Sequence, residues 1–203
     1  MGDTTKRIAG PERRRMIIDS ARASFAELGY FGASTAAIAA GAGCSEAVLY
    51  RHFVSKAELL LAVMREIATG VVGDLDEPDE PDAGAVDAVD LLVRRAGEIH
   101  GTPKGRESIR LVTLAISAAD EPGVRGALLE AFGFIRRTLI GLLAAGQASG
   151  SVRRDMPAED LAWLWHGLLM AGGMRLSVDP DDRKAGVASA VRALAQLTRG
   201  GEF

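Results

Sequence analysis

Residues 35–53 read T-A-A-I-A-A-G-A-G-C-S-E-A-V-L-Y-R-H-F, and their chemistry suits docking onto a polyanion better than catalysis. Leu49 and Phe53 share one helix face by the i, i+4 rule, which clusters Glu46, Ala47, Tyr50 and Arg51 on the opposite side. From that side Tyr50 offers a hydroxyl and Arg51 a guanidinium to phosphate, while Ala47 looks toward base edges. Lys56 stands in the first turn of the next helical segment, where its ammonium and the free amides of the helix start both favour phosphate. Ser34, Thr35 and Ser45 are hydroxyl residues at the starts of the two preceding segments and are placed to do the same. His52 reads as a structural or phosphate-facing residue. Glu46 is the exception, since its charge repels phosphate; it either accepts from a cytosine amino group or stays solvated.

Other chemistries find less support. The single cysteine, Cys44, cannot form an internal disulfide, and its place in a turn predicts burial as a small, inert hydrophobe. His52, His100 and His166 are too far apart for a local metal motif, and no CxxC or HExxH spacing exists, so neither a metal nor a cofactor is expected. Gly41-Ala42-Gly43 is no dinucleotide loop, because Glu46 occupies the third glycine position and no strand precedes it. No nucleophile, base and orienter stand together, and Glu159-Asp160 and Asp181-Asp182 sit at helix starts, where the dipole accounts for them. An enzyme is not expected; a helical enzyme or carrier with a vestigial motif is the remote alternative.

The elements that must position these residues are helices. Apolar residues recur at helical spacing almost throughout the 203 residues, strict alternation is missing, and aromatics make up only 5%. The fold class is therefore all-α, with nine helices expected near 12–28, 36–40, 45–52, 56–67, 84–99, 106–119, 124–149, 158–176 and 181–197. The first buries Ile17, Ala21, Phe25 and Leu28 and stops at Gly29. Ile38, Ala42, Cys44 and Leu49 fill the small core of the second and third, with the turn at Gly43. Ser55 and Glu58 form a capping box for the fourth. The seventh carries the stripe Val124, Leu128, Ala131, Ile135 and Leu142, with Phe132 and Leu139 on its flank.

Charge is uneven along the chain. Residues 1–65 hold nine Lys and Arg against six Asp and Glu, whereas residues 74–90 hold eight acids and no base, with Pro78 and Pro81 among them, and the first half of that stretch reads as an exposed linker. The charge-free apolar run 161–174 of the C-terminal half has 14 residues, fewer than the ~20 of a membrane span. With no apolar run of signal-peptide type in the first thirty residues, a cytoplasmic protein without a membrane partner is expected. Gly200-Gly201-Glu202-Phe203 has no periodic partner and stands outside the fold.

The stretch from Arg13 to Leu60, above all S-E-A-V-L-Y-R-H-F-V-S-K-A-E-L-L, resembles the DNA-binding domain of the tetracycline-repressor (TetR) family. That resemblance implies two domains: a helix-turn-helix domain over 11–71, with its motif at about 34–53, and a ligand-binding and dimerisation domain over 72–200. It implies a homodimeric transcriptional regulator, most simply a repressor, that holds a palindromic double-stranded DNA operator and is released by a small-molecule effector. A weaker similarity, G-S-V-R-R-D-M-P-A-E-D-L-A at 150–162, looks like the loop leading into the family's eighth helix. Cys44 stands where the family usually has Val.

By the same resemblance, helices eight and nine form a four-helix dimer interface, and helices four to seven enclose a pocket. Residues 161–174 are apolar around the whole circumference, which places Leu161, Trp165, Leu168 and Gly172 in that seam with Val187, Val191 and Leu194, and has Gly172 and Gly173 permit close packing there. Leu111, Leu114, Phe132, Ile135, Leu139 and Trp163 are expected to line the pocket, favouring a hydrophobic or amphipathic ligand. A regulator that activates, or one that needs no ligand, remains open.

Overall fold

The computed structural model describes residues 9–73, 87–183 and 186–200. The expected acidic linker at its Asp74 to Asp82 portion and the last three residues lie outside them. Among the described residues the fold is all-α, with nine α-helices: α1 (Gly10–Gly32), α2 (Thr35–Gly41), α3 (Glu46–His52), α4 (Lys56–Val72), α5 (Ala88–Gly101), α6 (Pro103–Ile116), α7 (Pro122–Ser149), α8 (Ala158–Val178) and α9 (Gly186–Thr198).

Local chemistry sets most of the starts. Ser34 accepts from the Ala37 amide at 3.1 Å, Ser45 from Val48 at 3.4 Å and Ser55 from Glu58 at 3.1 Å, so each satisfies one orphan N–H of its helix. Glu58 completes the fourth start by accepting from the Val54 amide at 2.6 Å, one residue upstream of a standard capping box. Asp87 caps α5 through the Val89 and Asp90 amides. Thr102 ends α5 and caps α6 through Gly105, which is why α6 begins at Pro103 rather than 106; it ends at Ile116 instead of 119. A 3-10 turn, Pro180–Arg183, fills the space where α9 was expected to begin.

Helix α1 does break where glycine predicts: Gly29 has φ +68°, a value most side chains resist, and the chain turns there before ending at Gly32. Leu28, expected inside, is 52% exposed because that break turns the last helical residues away from the core. Ile17, Ala21, Phe25, Ile38, Ala42, Leu49 and Phe53 are buried together, but Cys44 is only half-buried, at the rim of the turn that Gly43 makes with φ +62°.

The C-terminal helices pack around α7. Its inward stripe is Val124, Leu128, Ala131, Ile135, Leu139 and Leu143; Leu139 is central, and Leu142, expected in the stripe, is half-buried because the helix's 3.6-residue period carries it off the axis. Helix α4 lies along α7, and α1 reaches α6 through Arg22, whose guanidinium meets Glu107 at 2.8 Å and Ser108 at 3.1 Å. The buried Trp165 fixes α8 to the end of α9 by donating its indole N–H to Thr198 Oγ1 at 3.0 Å. Arg199 then joins that end to the start of α5 through Asp87 and Asp90.

Candidate nucleic-acid interface

Helix α3 buries Leu49 against α1 and α2 and turns Glu46, Ala47, Tyr50 and Arg51 outward, all four exposed on one side. Ser34 and Ser45 are exposed at the two helix starts, Thr35 and His52 half-exposed. The surface is linked across the turn: Thr35 Oγ1 donates to the Glu46 carboxylate and lies 3.3 Å from the Tyr50 hydroxyl. Glu46 is therefore held by Thr35 rather than freely solvated, and the pair sets the angle at which Tyr50 leaves the helix. Local spacing carries no sign of this contact, because its partners sit 11 and 15 residues apart on two helices.

Three basic residues do something the sequence did not indicate. Lys56 Nζ turns inward, donating to the carbonyls of Tyr30 at 2.8 Å and Ala33 at 3.1 Å and lying 4.5 Å from the centre of the Tyr30 ring. Two of its three donors are thus used within the domain, where they tie the end of α1 to the start of α4. Arg13 donates to the carbonyls of Ala42 and Gly43 at 2.7 and 3.2 Å, bracing the turn from α1, and Arg14 stacks 4.7 Å over the Phe53 ring. Tyr50 and Arg51 are left exposed on the outer face of α3, with Ala47 between them.

This geometry, a short recognition helix braced by two others, has known counterparts. Residues 17–63 match the tetR family of bacterial regulatory proteins. Over 200 residues the chain is 25% identical to the HTH-type transcriptional regulator UidR of Escherichia coli K12, covering 96% of each protein. Its helix-turn-helix domain is thus that of the TetR family. The chain is a DNA-binding transcriptional regulator. Over 66 residues it is 41% identical to the HTH-type transcriptional activator FasR of Mycolicibacterium smegmatis, a match that spans 32% of this chain and only 30% of FasR. The fold is shared with Salmonella enterica GusR, at a TM-score of 0.79 and 24% identity over 94% of this chain and 97% of that one.

In this chain the C-terminal side chains fall differently from their sequence assignments. Leu161, Trp165, Gly172, Val187 and Val191 are buried within the chain itself. A Cβ on Gly172 would come within 2.7 Å of the His100 ring and 3.1 Å of Val187, and one on Gly173 within 2.5 Å of Ile109, so the small residues admit α5, α6 and α9 of the same chain rather than a partner. Leu168 and Leu194 are half-buried against that core. What α8 and α9 leave outside is a second apolar set: Leu164, Gly167, Ala171, Met174 and Val178 along α8, with Leu197 on α9. Periodicity could not separate the two, because α8 is apolar on both.

The ligand assignments also divide. An interior void of about 20 Å3 is lined by Phe132 and Ile135 of the six expected residues, together with Ile67, Val71, Ile99, Ser108, Ile109, Val112, His166, Leu169 and Met170. Leu111 and Leu139 are buried elsewhere in the core, Leu114 is half-buried, and Trp163 is 59% exposed with the Arg136 guanidinium 5.3 Å over its ring. Trp163 fails to enter because it sits two residues from Trp165 and Leu161 on the far side of α8. Outside the void, between α1, α4, α5 and α6, lies an open cleft of about 290 Å3. No helix of the described residues is long and apolar enough to cross a membrane.

Proposed function

We propose that this regulator is a cytoplasmic homodimeric repressor that occupies a palindromic double-stranded DNA operator and lets go when a small hydrophobic or amphipathic molecule binds, with residues 11–71 reading DNA and 72–200 holding ligand and partner. The observation that carries the reading is the course of α4. It starts with Lys56 bonded to the Tyr30 and Ala33 carbonyls beside the helix-turn-helix and ends with Glu66, Ile67, Gly70 and Val71 in the wall of the cleft. A ligand that spreads the cleft must therefore shift the helix on which the recognition helix is mounted. The start of α7 transmits the same movement, since Gly123 packs so closely on Ala57 that a Cβ there would come within 2.5 Å. Typical coupling of ~1–3 kcal/mol corresponds to a roughly 5–150-fold loss of operator affinity.

Dimerisation is supported by the outer stripe of α8. Leu164, Gly167, Ala171, Met174 and Val178 recur at helical spacing on a face that the chain itself leaves uncovered, and a solvated apolar stripe of that length calls for a partner. A two-fold pair would set its recognition helices about one DNA turn apart, roughly 34–36 Å.

Selection of bound duplexes from a random library tests the reading. The expected result is an inverted repeat bound by two protomers; enrichment of a single, non-repeated half-site would sink the dimeric operator model. The smallness of the interior void favours a second reading, in which the chain regulates without a ligand. Operator titrations that stay unchanged in the presence of every compound shown to raise the melting temperature would favour it.

A further inference from the structure

His166 is the one described residue with a buried side-chain nitrogen that nothing bonds. Its side chain is 7% exposed, it lines the interior void, and its Nε2 has no hydrogen-bond partner among the described residues. Such an atom is costly to keep, because a buried polar group without a partner loses its hydration and gains nothing in return. The contrast with His100 is informative: that imidazole is equally buried but donates Nε2–H to the Leu169 carbonyl at 3.0 Å. The same helix therefore satisfies one histidine and leaves the other unpartnered beside a hole.

The void does not stand alone. Ile67, Val71, Ile99 and Ser108 line both it and the open cleft, so a wall one side chain thick separates a space of about 290 Å3 from the small one that ends at His166. Rotamer changes at the aliphatic Ile67, Val71 and Ile99 would join them, while Ser108 is held by Arg22 and the Lys104 carbonyl. Joined, the space is large enough for a small organic molecule.

We infer that cleft and void are two parts of one ligand site, that His166 Nε2 is its polar anchor, and that the ligand is an uncharged apolar molecule carrying one hydroxyl group, an alcohol or a phenol; this rests on the ligand-responsive reading above. The reasons are chemical. The inner lining is aliphatic and aromatic except for His166 and Ser108, so the body of the ligand is apolar. Burial first, and Arg136 second, hold the His166 imidazole below its ordinary pKa, so it is neutral and has one donor and one acceptor nitrogen. A hydroxyl meets Nε2 in either tautomer, since it both donates and accepts. A carboxylate would have to shed its water against an aliphatic wall with no full charge inside to pair it. At the mouth, Arg22, Arg95 and Lys104 face Glu66 and Glu98, a balanced rim that asks no net charge of the ligand's outer end.

The test uses the full-length protein and three probes of matched size: 4-butylphenol, butylbenzene and 4-butylbenzoate. Calorimetry should give the phenol roughly tenfold tighter binding than the hydrocarbon, the ordinary worth of one hydrogen bond to a buried group. The imidazole 15N resonance of His166 should move with the phenol and stay put with the hydrocarbon. In His166→Phe the tenfold preference should vanish while butylbenzene still binds. The 15N measurement on the unaltered chain keeps the inference exposed even if that variant folds poorly. Equal affinities with an unmoved resonance, tighter binding of the benzoate, or no binding by any probe would each overturn it. Operator titration with the phenol bound is read separately: an unchanged operator affinity would overturn ligand release while the affinity difference, and with it the site, stands.

Discussion

The helix-turn-helix and the C-terminal bundle hold their helices by opposite means. Helices α2 and α3 have seven residues each, too short to persist in water by themselves, and polar pins brace them and their turn: Ser20 to the Ile38 carbonyl at 2.8 Å and Arg13 to Ala42 and Gly43, while Lys56 ties α4 to the end of α1. Helices α5 to α8 run 14 to 28 residues and rely on apolar packing, with an unbonded imidazole and a void left in their midst. Directional bonds suit a surface that must present fixed side chains to a fixed lattice of phosphates. Non-directional packing leaves a region deformable, because aliphatic side chains can be rearranged without stranding donors.

The sharpest way to break the comparison is Trp165→Ala. It removes the largest buried side chain of the bundle and leaves Thr198 without its donor, and a loss of about 3–5 kcal/mol is expected in chemical denaturation. A loss below about 1 kcal/mol would mean that the α8–α9 junction is not held as described.

Next in size is the pair Leu164→Glu and Leu161→Glu. The first places a charge on the uncovered stripe and should weaken dimerisation by about 3 kcal/mol, more than a hundredfold, with the melting of the monomer little changed. The second buries the charge in the chain's own core and should unfold it. Sedimentation over a concentration series with parallel melting curves separates the two; equal behaviour would erase the distinction between inner and outer faces of α8. The originally assigned position, Leu168, lies between them, and Leu168→Glu should both destabilise and dissociate.

Within the DNA-binding helices, Lys56→Ala should cost about 1–3 kcal/mol of stability, because two carbonyls lose a charged donor. Tyr50→Phe should leave stability unchanged and weaken specific and random duplexes alike by about 1 kcal/mol. Denaturation beside anisotropy titrations over a salt series checks both, and a Lys56→Ala chain of full stability would return that residue to phosphate contact alone.

The smallest effect is expected from acid. Burial lowers the pKa of His100 and of His166 below the ordinary value of 6.5, the Leu169 carbonyl opposing this at His100 and Arg136 adding to it at His166. The unfolded chain then binds more protons than the folded one in that range, so stability is full above about pH 6.5 and falls as the pH drops below it. Melting curves from pH 7.5 to 5.5 should show the fall, and His100→Asn should flatten it; a pH-independent melt would contradict the assigned burial.

Much of the DNA-facing surface was legible because its signals are local. Capping serines, a glycine at positive φ and the i, i+4 pair Leu49 and Phe53 all act within a few residues, and the exposed faces of Tyr50 and Arg51 follow from them. The inward bonds of Lys56 were not legible for the same reason: the carbonyls that accept from it belong to residues 23 and 26 positions earlier.

The sequence by itself determined the helix count, most helix starts and the family of the helix-turn-helix, since hydrogen-bonded caps and 3.6-residue periodicity are properties of short segments. Only the tertiary structure decided which apolar face of α8 is core and which is outside, that Gly172 and Gly173 admit α5, α6 and α9 of the same chain, and that Trp163 stays out of the void while His166 goes in. Burial is assigned by neighbours from distant parts of the chain, and a helix that is apolar all round carries no mark of which neighbour it will meet.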